Sequence, residues 1–184
     1  GPLNISTGDA NIGTAGFASP EFEAKLLGSK NLTKNGAGRL ILSGNSSTWS
    51  GAANVQAGTL RVSSANALGA STSTNILANA TLEVDGGISL AENIELNADS
   101  NLVNVSGDNT ITQTLLIKSN ANIDMQGGSL AFNPDSGNAV NADVGATPAL
   151  NVLGSGDLVF KEILNLGNQL DPSMATAFGT FSQS

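Results

Sequence analysis

Five apolar residues, Leu40, Leu60, Leu82, Leu102 and Ile123, open copies of one short motif, and they stand 20, 22, 20 and 21 residues apart. Later candidates for the same series are Leu130 and Leu158. Two positions before these residues stand Gly38, Gly58, Ala80, Ser100, Ala121, Gly128 and Gly156, all small. One position before stand Arg39, Thr59, Thr81, Asn101, Asn122, Ser129 and Asp157, all polar. Two positions after stand Leu42, Val62, Val84, Asn104, Met125, Phe132 and Phe160, apolar except for Asn104. Alternation with a period of two residues marks a strand that buries one face. The small residue in front suits a tight bend where successive backbones stack closely. At Asn104 the flanking Val103 and Val105 predict a shifted phase or a bulge.

A second apolar series runs about a third of a period away, through Val55, Ile76, Ile94/Leu96 and Leu115/Ile117, and later Leu150/Val152. A third and fainter series runs through Leu68, Ile88/Leu90 and Ile111. Three short strands in each coil of roughly 21 residues is the arithmetic of an all-β parallel β-helix, a β-solenoid. One coil cannot bury its apolar side alone. Stacking coils about 4.8 Å apart pairs every strand with the next and lines the interior with aliphatic columns, and about seven coils give a rod on the order of 35 Å long. Composition agrees: aromatics are 4% of the 184 residues and Cys is absent. So few rings fit a thin core of Leu, Ile and Val better than a wide globular one.

The series predict a β-helix over residues 32–184, preceded by a lead-in or cap over residues 1–31. In that lead-in, Pro20–Leu27 reads either as a short helix, with Ser19 as N-cap and Gly28 ending it, or as a strand with Phe22, Ala24 and Leu26 on one face. The stretch 133–148 is polar and bracketed by Pro134 and Pro148. It predicts a loop extruded from a coil, and its Asp135 and Asp143 lack the spacing of known calcium loops. A helical turn is expected at Asp171–Phe178, and the opening Gly1-Pro2-Leu3 reads as the remnant of a cleaved tag on a fragment.

Seven basic against 15 acidic residues give a net charge of −8, which argues against nucleic-acid binding and against docking on anionic lipid. No apolar run reaches the roughly 18 residues of a membrane span. Without His or Cys, Ser–His and Cys–His catalysis, disulfides and zinc thiolate sites are excluded from this chain. The outward column of the main series reads Ile41, Arg61, Glu83, Val103, Asp124, Ala131, Val159. Arg61 and Glu83 then stand on adjacent coils and are expected to form a surface ion pair. Glu83 and Asp124 stand two coils apart with Val103 between them, too far for a carboxylate pair or a shared metal. The glycine pairs Gly86-Gly87 and Gly127-Gly128 read as turns, since no helix follows to make a phosphate loop. Trp49, the one Trp, reads either as an exposed ring that could stack on a sugar or as a fixed part of the scaffold. No catalytic, cofactor-binding or metal-binding residue is assigned, and the chain is expected not to be an enzyme.

The best-preserved module is Leu32-Thr-Lys-Asn-Gly-Ala-Gly-Arg-Leu-Ile-Leu-Ser-Gly-Asn45, then Trp49-Ser-Gly51, then Val55-Gln-Ala-Gly-Thr-Leu-Arg-Val62 and Ala67-Leu-Gly69. These residues resemble the passenger-associated repeat of bacterial autotransporters, whose pattern runs L-x-K-x-G-x-G-x-L-x-L-S-G-x-N, an aromatic, V-x-x-G-T-L-x-V and A-L-G. The resemblance covers about 38 residues, and only its strand core recurs later. It implies a right-handed β-helix, secreted or displayed on the surface of a Gram-negative bacterium and anchored through an outer-membrane barrel outside this chain. The repeat belongs to the scaffold and is not specific for any one activity; the first functional reading is a non-enzymatic adhesin or a self-association or host-interaction scaffold. The partner would be a host-cell receptor, extracellular matrix or glycan, or a second copy of the chain, with no membrane insertion by this segment. A toxin or host-signalling passenger is the alternative, and a polysaccharide-active β-helix enzyme a third reading. Two-partner secreted adhesins share the fold, but their Asn-Pro-Asn-Leu motif is not matched here, where Asn133-Pro134 is followed by Asp135.

Overall fold

A computed structural model describes residues 3–5, 7–15, 21–22, 25–71, 73–134, 139–142, 148–161, 164–165 and 182–183. Among them there is no helix, and the chain winds as a β-solenoid of about six turns of roughly 21 residues. Its strands pair in parallel with their counterparts on neighbouring turns, so the repeat length in the sequence becomes the register in space.

Among the described residues, the first face holds eight strands: Ala10–Gly13, Leu32–Asn35, Ala53–Val55, Thr74–Ile76, Ile94–Leu96, Leu115–Ile117, Val140–Ala142 and Leu164–Asn165. The second holds seven: Glu21–Phe22, Arg39–Leu42, Thr59–Val62, Thr81–Asp85, Ser100–Ser106, Ala121–Met125 and Leu150–Gly154. The third holds five: Ser89–Leu90, Asn109–Ile111, Ser129–Phe132, Asp157–Phe160 and Ser182–Gln183. Leu3–Ile5 and Leu26–Gly28 occupy the third slot of the earliest turns and pair with each other, and a single bridge from Gly28 to Trp49 continues them. Between that bridge and Ser89, the third slot is filled by turns instead of strands.

The expected columns are the core. On the second face Leu40, Leu60, Leu82, Leu102 and Ile123 stack in register, each at most 1% exposed. Beside them run Leu42, Val62, Val84, Asn104 and Met125, also inward. The first face supplies Val55, Ile76, Leu96 and Ile117. The third supplies Leu90, Ile111, Phe132 and Phe160, the last two with rings stacked 5.4 Å apart. Each side chain covers the one below, so apolar area is removed from water without a wide interior.

The close bends are visible at Gly58. Its φ is +65°, and a Cβ there would lie 2.5 Å from the carbonyl oxygens of Gly36 and Gly38 on the preceding turn. Only glycine suits both the left-handed backbone and that contact.

Several sequence expectations change. Leu130 and Leu158 belong to the third face, where they pair in the column begun by Asn109, and not to the main series. Leu150 and Val152 lie on the second face opposite Ala121 and Ile123, not in the second series. The small-polar-apolar signature arises at any tight corner, and Gly128 and Gly156 make such a corner before third-face strands, so the signature alone does not name the face. The outward column therefore runs from Asp124 to Leu153, while Ala131 and Val159 neighbour each other on another sheet. Within the segment expected to loop out, Val140–Ala142 is a first-face strand paired with Leu115–Ile117, and Val140 is buried. A strand therefore runs within the segment expected to loop out, and residues 135–138 and 143–147 lie outside the described ones. Asn122 and Asn151, partners across this turn, are 29 residues apart, against 21 in the turn before. The lead-in likewise contributes strands to the same stack, with Ala10–Gly13 pairing to Leu32–Asn35 and Glu21–Phe22 to Ile41–Leu42. Of the Pro20–Leu27 alternatives, Glu21–Phe22 is extended, and the Asp171–Phe178 turn lies outside the described residues.

Candidate functional site

The module over residues 32–69 is built to hold turns together. In Leu32–Asn35 the inward residues are Leu32 and Lys34, so the lysine stands where its neighbours place Val55 and, one turn later, Ile76. Lys34 is only 1% exposed. Its Nζ donates to the carbonyl oxygens of Asn35 at 2.9 Å, Gly36 at 2.8 Å and Ala57 at 2.9 Å. Three donors meet three acceptors, two on its own turn and one on the next. Burial lowers the pKa of this ammonium.

Trp49 is fully buried, and its Nε1 donates to the Lys30 carbonyl at 3.0 Å. The ring fills the third slot where no strand runs, together with Ala67 and Leu68, and the exposed, sugar-stacking reading is thereby ruled out. Ser46, also buried, accepts a hydrogen bond from the Leu26 backbone at 2.9 Å through its Oγ. Every distinctive side chain of the module thus faces another turn of the same chain.

Outward-facing groups lie on the other side of the strands. On the second face the polar column reads Arg39, Thr59, Thr81, Asn101, Asn122, Asn151 in register. Its last three form an amide ladder: Asn122 Nδ2 donates to Asn101 Oδ1 at 3.0 Å, and Asn151 Nδ2 to Asn122 Oδ1 at 3.1 Å. A shorter ladder stands on the first face, where Asn75 Nδ2 donates to Asn54 Oδ1 at 2.9 Å. Asn35 and Asn11 join in the same way on that face.

The expected Arg61–Glu83 pair forms, at 2.6 Å between Nε and Oε2. It belongs to a larger cluster. Arg39 reaches Glu83 Oε1 at 2.9 Å, Arg61 reaches Asp85 at 3.3 Å, and Ser106 Oγ donates to Asp85 at 2.6 Å. Glu83 is 7% exposed, so the pair is more enclosed than a surface pair. The register keeps Val103 between Glu83 and Asp124, which therefore do not meet.

Residues 32–62 match the family model of the passenger-associated-transport-repeat. The chain carries an autotransporter passenger repeat. Together with the solenoid around it, this repeat indicates an autotransporter passenger fragment, and the repeat family suggests a secreted or cell-surface protein of Gram-negative bacteria. Comparison with curated proteins and with solved structures returned no match. In this passenger the family signature explains itself physically: Lys34 ties carbonyls, Gly58 admits the turn below, and Leu40, Leu42, Leu60 and Val62 form columns.

Two features of the passenger were hidden in the sequence. Glu92 is 1% exposed and sits between the third and first faces, where its Oε1 accepts from Thr74 Oγ1 at 2.8 Å and Ser71 Oγ at 3.0 Å. Asn104 and Asn109 are buried and bonded to each other at 2.7 Å. Polar letters in single positions look like surface, and only the phase of Asn104, inside the Val84 and Met125 column, gave a signal.

Proposed function

We propose that this passenger fragment is a non-enzymatic adhesive scaffold, which binds a host-cell receptor, extracellular matrix or glycan, or a second copy of itself. The observation that carries the reading is the amide ladder Asn101–Asn122–Asn151. An amide has two N–H donors and two acceptor sites on its oxygen. In the middle rung one donor and one acceptor site are spent inside the ladder. One N–H and one acceptor site remain for a partner, and they recur at the spacing of the turns, about 4.8 Å. A stiff stack therefore offers the same weak polar contact several times at fixed intervals, and contacts made together on one rigid body add avidity. Sugar hydroxyls or a second ladder match that chemistry.

The rest of the reading follows from the family. The passenger reaches the cell surface, and an outer-membrane barrel beyond this chain anchors it. The test is retention of the purified fragment on immobilised host cells, matrix protein, glycan or itself, alongside incubation with acidic polysaccharides and calcium. Retention without bond cleavage is the expected result. Cleavage with turnover would replace the adhesive reading by an enzymatic one, and a cellular response to the soluble fragment would favour a toxin or signalling role.

A further inference from the structure

We propose that Glu92 is a proton-operated clasp between the turns that close the passenger repeat and the coil that follows. The carboxyl lies between Ser89–Leu90 and Ile94–Leu96, at the corner after the third slot again holds a strand. Its Oε1 accepts from two hydroxyls of the preceding turn, Ser71 and Thr74, while its Oε2 is buried without a hydrogen-bond partner among the described residues. A neutral acid tolerates such a site far better than an anion does, because an ionised oxygen left without donors or water is costly.

No charge on the neighbouring turns compensates. Residues 71–82 on the preceding turn and 109–117 on the following one contain no ionisable side chain. On its own turn, Glu95 points outward and pairs with Lys118 at 2.8 Å, and Asp85 is held by Arg61 and Ser106. Burial raises the Glu92 carboxyl to about 7, against the opposing pull of the Thr74 and Ser71 hydroxyls. The folded state thus holds the proton more tightly than the unfolded chain. The stabilisation is complete below the ordinary carboxyl range and is lost as pH rises through neutrality. In mild acid the clasp is closed. Above neutrality a buried anion remains, and the corner opens to admit water.

Hydrogen–deuterium exchange of the whole fragment between pH 5.5 and 8.5, corrected for intrinsic rates, tests this. Amides in 73–77 and 90–97 are expected to lose protection with rising pH, by up to about tenfold per pH unit between the ordinary carboxyl range and neutrality, and to level off above it. Amides in the Ala121–Met125 strand keep theirs, and Glu92→Gln, which is uncharged at every pH, flattens the dependence. The same pH profile in Glu92→Gln and in the original chain overturns the proposal. Carbon-13 titration of the Glu92 carboxyl in the unmodified chain gives a second reading that needs no variant: titration near neutrality supports the clasp, and titration in the ordinary range of about 4 to 5 overturns it. Neither result bears on whether the outer ladders bind a partner.

Discussion

Lys34 is the residue through which the family signature is best understood. Alternation places it on the buried side of its strand, a position that ordinarily takes an aliphatic side chain. Its stem lies along the column and its ammonium meets three carbonyl oxygens at the corner between the first two faces. A hydrocarbon of equal length fills the column but strands the Gly36 and Ala57 oxygens, while the Asn35 oxygen keeps its bond from the Thr14 backbone. Lys34→Met is therefore expected to destabilise the fold by about 3 kcal/mol, read as a lower denaturation midpoint in urea at unchanged slope. An unchanged midpoint would mean that water satisfies the freed oxygens as well as the lysine does. Trp49 belongs to the same logic. Its ring and its indole N–H both serve the stack, which leaves neither for a ligand.

At the scale of single strands, Ser100–Ser106 departs most from regularity. Val84 pairs with Asn104 but Asp85 pairs with Ser106, so Val105 is the extra residue of a bulge. The alternation foretold a bulge or a shift at this point, and the phase itself does not shift. Asn104 stays inward, receives a hydrogen bond from Asn109, and donates to the carbonyl of Gly127 on the following turn. The pair tethers the bulged corner across three successive turns, since Asn109 Oδ1 also accepts from the Ile88 backbone of the preceding turn. Asn104→Leu restores an all-apolar column, yet it leaves the Gly127 carbonyl unpaired and removes the acceptor of a buried Asn109 donor. The expected outcome is a loss of about 2–3 kcal/mol in chemical denaturation, where a hydrophobicity scale forecasts a gain.

How much could be read in advance follows from the same elements. Leu40, Leu60, Leu82, Leu102 and Ile123 were legible as a column because near-equal spacings repeat one phase. Leu130 and Leu158 were misplaced because a tight corner leads into third-face strands as it does into second-face ones. Val140 was invisible because a three-residue strand carries almost no periodicity, and its turn is longer than the one before. Glu92 and Lys34 could not be recognised as buried from their residue types, since charged side chains are usually exposed. The outer ladder was legible only as a set of polar positions. Its hydrogen bonds depend on register, which becomes fixed once the turns are stacked.

For the whole molecule, the turns are near-equivalent units held mainly by their neighbours. Stability is then close to a sum over turns and the interfaces between them. Removing residues 101–121 joins Ser100 to Asn122 and takes out one full turn, because Asn101 and Asn122 are register partners. That deletion should leave a cooperatively unfolding β-solenoid with a lower melting temperature, whereas removing 101–110 alone puts every later column out of phase and should abolish the fold. Far-UV circular dichroism with thermal unfolding distinguishes the two. Collapse of both would show that the stack is less modular than its register.

Inward and corner groups bind turn to turn, and so do the outward amides in their ladder; under the proposed reading those amides keep one N–H and one acceptor site for a partner. Replacing Asn101, Asn122 and Asn151 together by Ala removes the outward amides while the inward columns stay as they are. Adhesion and aggregation of cells or beads carrying this chain, compared at matched folding and surface density, measure what those amides do. The account predicts at least a tenfold loss of adhesion in the triple variant, because avidity falls steeply when several weak interactions disappear together. Undiminished adhesion would contradict it and move the binding surface away from this ladder.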